Sequence, residues 1–367
     1  MVFYVKNNYR QWGVVYMEQK KKFKIPIGLI FNIFIIALTI FLIIYFIFSE
    51  DGLIDLINSG LEISIWWIVA AVLMHLLNIT IDATIIYIFV KQSVPDVKLK
   101  TAIKASMVGQ FYCAITPSST GGQPMQVLMM SRSGIKGSVA TSALIQKFLV
   151  WQFTLAVYCI VAVIARFSFF REHLDTYMWI VSAIGFAAQI IMLVVLLLAS
   201  FAKNFTQKIS SGFLRLLGKL HILKNADEKI AGLNDTLESF HESNKALQKN
   251  KILLIKAYLL TAVQMTAFFL VPYCIAMSFK IPDLSIFDML CAQSYVTMVS
   301  SLVPLPGGSG AAEYCFSTFF MAYISAETMK SAILIWRTIT YYGTILISLP
   351  FSGIKKKKAE PEIQSEN

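Results

Sequence analysis

Long apolar runs with few charges alternate along the chain with short polar segments rich in lysine and arginine. A helix rises 1.5 Å per residue, so roughly 20 apolar residues cross the ~30 Å hydrocarbon layer of a bilayer. Runs of that kind lie at 26 to 48, 65 to 90, 139 to 165, 177 to 200, 251 to 278 and 331 to 350, which predicts six full spans. The first run is too long for a cleaved signal sequence, and no small-residue cleavage site closes it before "SEDGLIDL". Two further apolar stretches are broken near their middles by proline and a glycine pair: "TPSSTGGQP" at Thr116 to Pro124 and "VPLPGGSGAAE" at Val303 to Glu313. The arm before each break is about 15 residues, short for a crossing. Unwound backbone is tolerated at membrane depth only where protein buries it or it lines a cavity, so both breaks mark candidate sites.

Composition agrees with a polytopic membrane protein: 57% of the residues are hydrophobic, 14% are charged, and mean hydropathy is +0.66. A soluble domain of this length carries far more charge. With the N-terminus in the cytoplasm, most basic residues fall in cytoplasmic segments, and Arg166, Arg171, Lys280 and Lys330 fall outside. The connection from Ser49 to Ser64 has no Lys or Arg but carries Glu50, Asp51, Asp55 and Glu62, as expected of an outer loop. Both termini are therefore expected in the cytoplasm, which demands an even number of crossings. Each broken stretch must return to the side it left. The expected fold is all-α, with six spans and two oppositely oriented re-entrant helical hairpins, at about 101–135 and 288–324, forming an inverted repeat.

On this reading residues 1–25 are a basic N-terminus, and 26–200 and 251–350 are the two membrane repeats. Residues 201–250 are cytoplasmic amphipathic helices, and 351–367 are a basic tail. Phe205, Ile209, Phe213, Leu216, Leu217 and Leu220 form a stripe beside Lys208, Arg215 and Lys219, suited to lying on anionic lipid. A second helix, through Ile230, Leu233, Leu237, Phe240 and Leu247, docks on the first or on a partner.

A helix restarting inside the membrane offers unpaired N–H groups and the positive end of its dipole, and glycine lets an anion approach that backbone. Lys147 and Arg337 follow the two breaks on the next spans, about 13 Å and 10 Å in from opposite ends. Intramembrane cations are costly and point to function. Pro304, Pro306, Gly307, Gly308 and Gly310 then either hold a phosphate with Arg337, or make a tight buried turn with Arg337 paired to Glu313. His75, Asn78 and Asp82 share a helical face, as a proton relay or headgroup path, or as interhelical contacts. Gln110, Tyr112, Gln146, Gln264, Gln293 and Tyr295 carry the same two readings. The cysteines and four scattered histidines form no metal-ligand pattern, "GGSG" lacks the ending of a nucleotide loop, and no cofactor or nucleic-acid partner is expected.

The segments "TPSSTGGQPMQVLMMSRSGIKGSVATSALIQK" and "LVPLPGGSGAAEYCFSTFF...SAILIWRTITYY" resemble the paired signatures of the bacterial lysylphosphatidylglycerol synthase transmembrane family, also called flippase-like or UPF0104 proteins. The similarity spans about residues 25 to 350. It implies a multi-pass protein of the bacterial inner membrane that binds and moves a phospholipid, lysyl-phosphatidylglycerol or phosphatidylglycerol in class. In the full-length members, the multiple peptide resistance factors, a C-terminal cytoplasmic domain transfers lysine from lysyl-tRNA. No such domain is expected here, where "FSGIKKKKAEPEIQSEN" follows Pro350. A phosphatidylglycerol lysyltransferase and a non-transporting lipid-binding scaffold remain as alternatives, with a separate lipid-modifying enzyme or a second copy of the chain as candidate partners. The family pattern implies binding roles for Pro117, Gly121, Gly122, Pro304, Pro306, Gly307, Gly308, Gly310, Glu313 and Arg337. Lys147 stands where an arginine is expected, and Gln123 where relatives carry charge.

Overall fold

A computed structural model describes residues 63–173, 176–204, 207–208, 211–212, 226–301, 303 and 305–353. The predicted span 26–48, the N-terminal segment, the stripe from Phe205 to Leu220, Pro304 and the Lys355–Lys358 cluster lie outside the described residues.

Among the described residues the fold is all-helical, with no strands. In chain order the helices are α1 (Ile65–Ser93), α2 (Leu99–Ile115), α3 (Gly122–Arg132), α4 (Gly137–His173), α5 (Thr176–Phe201), α6 (Ala226–Lys249), α7 (Lys251–Ser278), α8 (Ile286–Ser300), α9 (Ala311–Phe320), α10 (Ala326–Arg337) and α11 (Gly343–Ser348). A π-helical turn, Thr338–Tyr342, joins the last two. Five stretches are long and apolar enough to cross a membrane: Ile65–Ser93, Gly137–Phe167, Trp179–Leu198, Lys251–Ser278 and Ala326–Phe351. They coincide with the predicted spans that fall among the described residues. On α5, Ile180, Ile184, Ile191 and Val195 are exposed, which suits hydrocarbon as the surrounding solvent.

The order of elements repeats. A helix of 29 residues (α1) is followed by one of 17 (α2), a three-residue 3-10 turn, a helix of 11 (α3) and the long α4. In the second half, 28 residues (α7), 15 (α8), a three-residue 3-10 turn, 10 (α9) and the helix from Ala326 follow in the same sequence. Local signals set the starts of the second series. The Asn250 side chain accepts from the Leu253 N–H at 3.0 Å, and Ser285 Oγ accepts from the Asp288 N–H at 3.3 Å, with the Asp288 carboxylate in a first turn where the helix dipole favours it.

In each half the two short helices form an antiparallel hairpin. A Cβ added to Gly109 would run into Gln126, and one added to Gly122 would run into Cys113, so residues equally distant from the turn face one another and only hydrogen fits between them. Leu155, Cys159, Phe269, Val271, Ile275, Phe316 and Phe320 form a continuous core shared by α4, α7 and α9, while α1 packs along α7.

The amphipathic α6 docks on the bundle. Asn244 is buried and its amide donates to Ser200 O at 2.6 Å and Ser200 Oγ at 2.8 Å, while its Oδ1 accepts from Gln146 on α4. Ser142 Oγ also donates to Phe240 O at 2.9 Å, and Lys203 pairs with Glu238 at 2.6 Å. Gln146 is thus an interhelical contact.

Candidate functional site

The 3-10 turns at the two hairpin tips share one backbone path. Thr116 (φ −110°, ψ 145°) and Leu305 (φ −112°, ψ 150°) are extended, and Pro117 and Pro306 open the turns. Ser118 (φ 49°, ψ 26°) and Gly307 (φ 61°, ψ 14°) then enter the left-handed region, followed there by Ser119 and Gly308. The proline fixes φ and removes a donor where the helix ladder has stopped, and the left-handed pair reverses the chain. Conformationally, therefore, Gly307 and Gly308 match Ser118 and Ser119. Gly121 and Gly122 instead begin α3, and the two glycine pairs that look alike in the sequence are not equivalent.

At the second tip Arg337 is buried, and its guanidinium holds the turn. Nε donates to Glu313 Oε1 at 2.6 Å and Nη1 donates to Gly307 O at 2.9 Å. The other carboxylate oxygen of Glu313 accepts from the Gly310 N–H at 2.7 Å, so the protein's own anion caps the start of α9. The guanidinium lies over the rings of Trp336 and Tyr341, 5.1 and 5.4 Å from their centroids. Arg337 Nη2 is buried and has no hydrogen-bond partner. The pairing of Arg337 with Glu313 is therefore present. Sequence reasoning passed over Tyr341, whose ring packs on Gly307 and whose hydroxyl donates to Ala114 O at 3.0 Å, on the other hairpin. Tyr341 lies in the π-helical turn, a distortion that is frequent at functional sites.

The first tip is built differently. Thr116 Oγ1 accepts from the Gly121 N–H at 2.9 Å, so a hydroxyl and not a carboxylate caps this restart. Lys147 does not reach its hairpin's backbone. Its Nζ meets Asp82 Oδ1 on α1 at 2.5 Å, and Asp82 Oδ2 accepts from Ser106 Oγ at 2.6 Å. Gln123 is half-buried in the first turn of α3, and Pro117 is exposed. The carboxylate that neutralises the cation thus comes from the hairpin's second arm in one half and from the preceding span in the other. Both side chains of the Asp82–Lys147 pair are mostly buried, with 7% and 17% exposed. Lys147→Ala strands a carboxylate and is expected to cost about 3–5 kcal/mol, whereas Asp82→Asn with Lys147→Gln recovers most of it. Thermal unfolding of the detergent-solubilised variants measures the difference.

The turns Pro117–Ser119 and Pro306–Gly308 pack against each other, and beside them lies a cavity of about 280 Å³. Its wall brings together His75, Asn78, Asp82, Gln110, Cys113, Ser119, Gln264, Thr297, Gly307, Thr340, Tyr341 and Thr344, with Trp151, Phe268 and Phe269 on the apolar side. The predicted face of His75, Asn78 and Asp82 is one side of this cavity. His75 Nε2 is 2.8 Å from Thr344 Oγ1, and its Nδ1 has no partner. Asp82, through its pair with Lys147, and Gly307, through its carbonyl to Arg337, link both buried cations to the wall. Tyr112, by contrast, bonds Ser352 O at 3.1 Å, away from the cavity. Among the described residues no cluster of His, Cys, Asp and Glu is arranged to hold a metal. What the cavity offers is amide, hydroxyl and imidazole groups, with two ion pairs adjoining it.

Comparison with known sequences gives matches across this region. The model of the family described as the lysylphosphatidylglycerol synthase TM region matches residues 29–348, which include both tips and both ion pairs. The chain is also similar to a UPF0104 membrane protein of Archaeoglobus fulgidus, 27% identical over 272 residues that cover 70% of this chain and 77% of the relative.

Proposed function

The chain belongs to the lysylphosphatidylglycerol synthase transmembrane-region family, and from that membership we propose that it binds a phospholipid or other phosphate-bearing lipid and moves it between leaflets. In this proposal the hairpins at about 101–135 and 288–324 are re-entrant from opposite faces, and both termini are cytoplasmic. The headgroup occupies the cavity where the tips meet, and rocking one repeat against the other opens that cavity to each leaflet in turn. The observation that carries the reading is the convergence of two unwound tips on one polar cavity inside a mostly apolar bundle.

The ion pairs give the proposal its chemistry. A phosphate entering the cavity competes with Glu313 for Arg337, whose Nη2 lacks a partner, and with Asp82 for Lys147. Each displaced carboxylate then pairs with a cationic part of the headgroup or takes up a proton. Because the cations start neutralised, an incoming anion does not meet an unscreened charge, which would bind it too tightly to release.

The test is exchange of fluorescent phosphatidylglycerol and lysyl-phosphatidylglycerol across sealed proteoliposomes. Exchange above that of protein-free vesicles is expected, and Gln264→Trp, which fills the cavity, is expected to reduce it at least about tenfold. Exchange of neither lipid, with lipid still bound to the purified protein, would replace transport by a lipid-binding scaffold.

A further inference from the structure

A second cavity, of about 250 Å³, opens on the other side of α8. Its wall is formed by Ile160, Val163 and Ile164 of α4, by Trp179, Ser182, Ala183 and Phe186 of α5, and by Tyr295 and Met298 of α8. Thr297, between those two α8 residues, lines the polar cavity instead, so one turn of α8 separates the two chambers. The residues at the mouth, Ile164 and Ala183, are exposed on the apolar outer surface beside Ile180 and Ile184. Trp179 packs on Phe167 at this rim, with ring centroids 5.7 Å apart. The wall includes a buried hydroxyl without a partner. Ser182 is 4% exposed and its hydroxyl has no hydrogen-bond partner. A helical serine ordinarily bonds a carbonyl one turn back, and a hydroxyl left unbonded in an apolar wall costs free energy unless a guest accepts from it.

We propose that this chamber is a binding site for one acyl chain of a membrane lipid, seated with its ester carbonyl oxygen accepting from Ser182 Oγ. The volume is below the roughly 300–1,000 Å³ of pockets for drug-sized molecules and suits a chain segment. The mouth opens onto the lipid-facing surface, where acyl chains are the abundant apolar solute. The carbonyl accounts for the unpartnered hydroxyl of Ser182 in a wall otherwise made mostly of aliphatic side chains and aromatic rings. The site goes beyond headgroup transport, since a chain can occupy it whether or not the headgroup crosses.

The experiment uses the full chain in nanodiscs containing phosphatidylglycerol with a diazirine on one acyl chain, followed by photolysis and mass-spectrometric mapping of the labelled residues. Labelling at residues 160–164, 179–186 and 295–298 is expected to exceed that at the equally lipid-facing Ile191–Leu198 by about fivefold or more, reflecting a specific site. Ala183→Trp, which covers the mouth from an exposed position, is expected to remove the excess, and Ser182→Ala to lower it about threefold by loss of one hydrogen bond. Ala183→Leu provides the same comparison if the tryptophan variant does not fold. Even labelling along the outer surface, unchanged in the Ala183 variants, means lipid solvation only and overturns the proposal. Loss of exchange in Gln264→Trp with the acyl labelling intact separates this site from the headgroup site.

Discussion

Replacing both members of the second ion pair, Arg337→Gln with Glu313→Gln, is expected to leave the protein folded while lipid exchange falls to the level of protein-free vesicles. The single substitution Arg337→Ala is less informative, because it removes the bonds that hold Gly307 O and Glu313 at the tip. Breaking one side of a buried pair costs about 3–5 kcal/mol, much of it from the charge left behind, and replacing both sides by neutral groups avoids that term. Glutamine at 313 keeps an oxygen for the Gly310 N–H, and glutamine at 337 places an amide donor about where Arg337 Nε meets residue 313, though it is too short to reach Gly307 O. What the double variant lacks is the positive charge that a phosphate would take over. Arg337→Lys is expected to retain a fraction of the exchange, because lysine keeps the charge but presents no fork to reach Glu313 and the Gly307 carbonyl together. A double variant that exchanges lipid at the wild-type rate removes Arg337 from the transport chemistry and leaves it the role of a clasp on the turn.

Gly307→Ala is the second large effect. Gly307 sits at φ 61°, and a Cβ there would lie 2.2 Å from Cε2 of the Tyr341 ring. A left-handed alanine costs about 1–2 kcal/mol, and overpacking against a buried ring adds about 1–3 kcal/mol. Tyr341 cannot yield freely, because its hydroxyl is tied to Ala114 O on the first hairpin. The expected result is a loss of about 2–5 kcal/mol together with separation of the two tips, read as a lower unfolding temperature. Opposite behaviour is expected at the matching position of the first tip. Ser118 adopts the same left-handed conformation at a strain cost that glycine would not bear, and Ser118→Gly is expected to raise stability by about 1 kcal/mol.

The five apolar spans among the described residues were legible because a bilayer imposes one requirement, about 20 apolar residues with few charges, and the chain meets it there in distinct runs. The tips were legible because proline and glycine end helices for local reasons. The shared face of His75, Asn78 and Asp82 was legible from helical spacing alone. The remaining features depend on contacts that no local pattern records. Asp82 meets Lys147 across α1 and α4. Tyr341 reads as one more aromatic in "WRTITYY", and its reach to Ala114 depends on the π-helical turn at Thr338–Tyr342. Ser118 and Ser119 take the part played by Gly307 and Gly308 although serine disfavours that backbone, so matching glycine with glycine misaligns the two halves by three residues. Helix α6 reads as an amphipathic segment that docks on the preceding helix or on a partner, and the bonds of Asn244 to Gln146 and Ser200 reveal its seat on the bundle.

The central claim is that one cavity at the meeting tips opens to both faces, and Cys113, which lines it, provides the direct measurement. With Cys159, Cys274, Cys291 and Cys315 replaced by alanine, Cys113 is the remaining thiol. A membrane-impermeant methanethiosulfonate reagent is added to the outside or loaded inside sealed proteoliposomes, with and without phosphatidylglycerol. Modification of Cys113 from either side, slowed by phosphatidylglycerol, is the expected result. Modification from one side only, at a rate unaffected by the lipid, contradicts an alternately opening headgroup site.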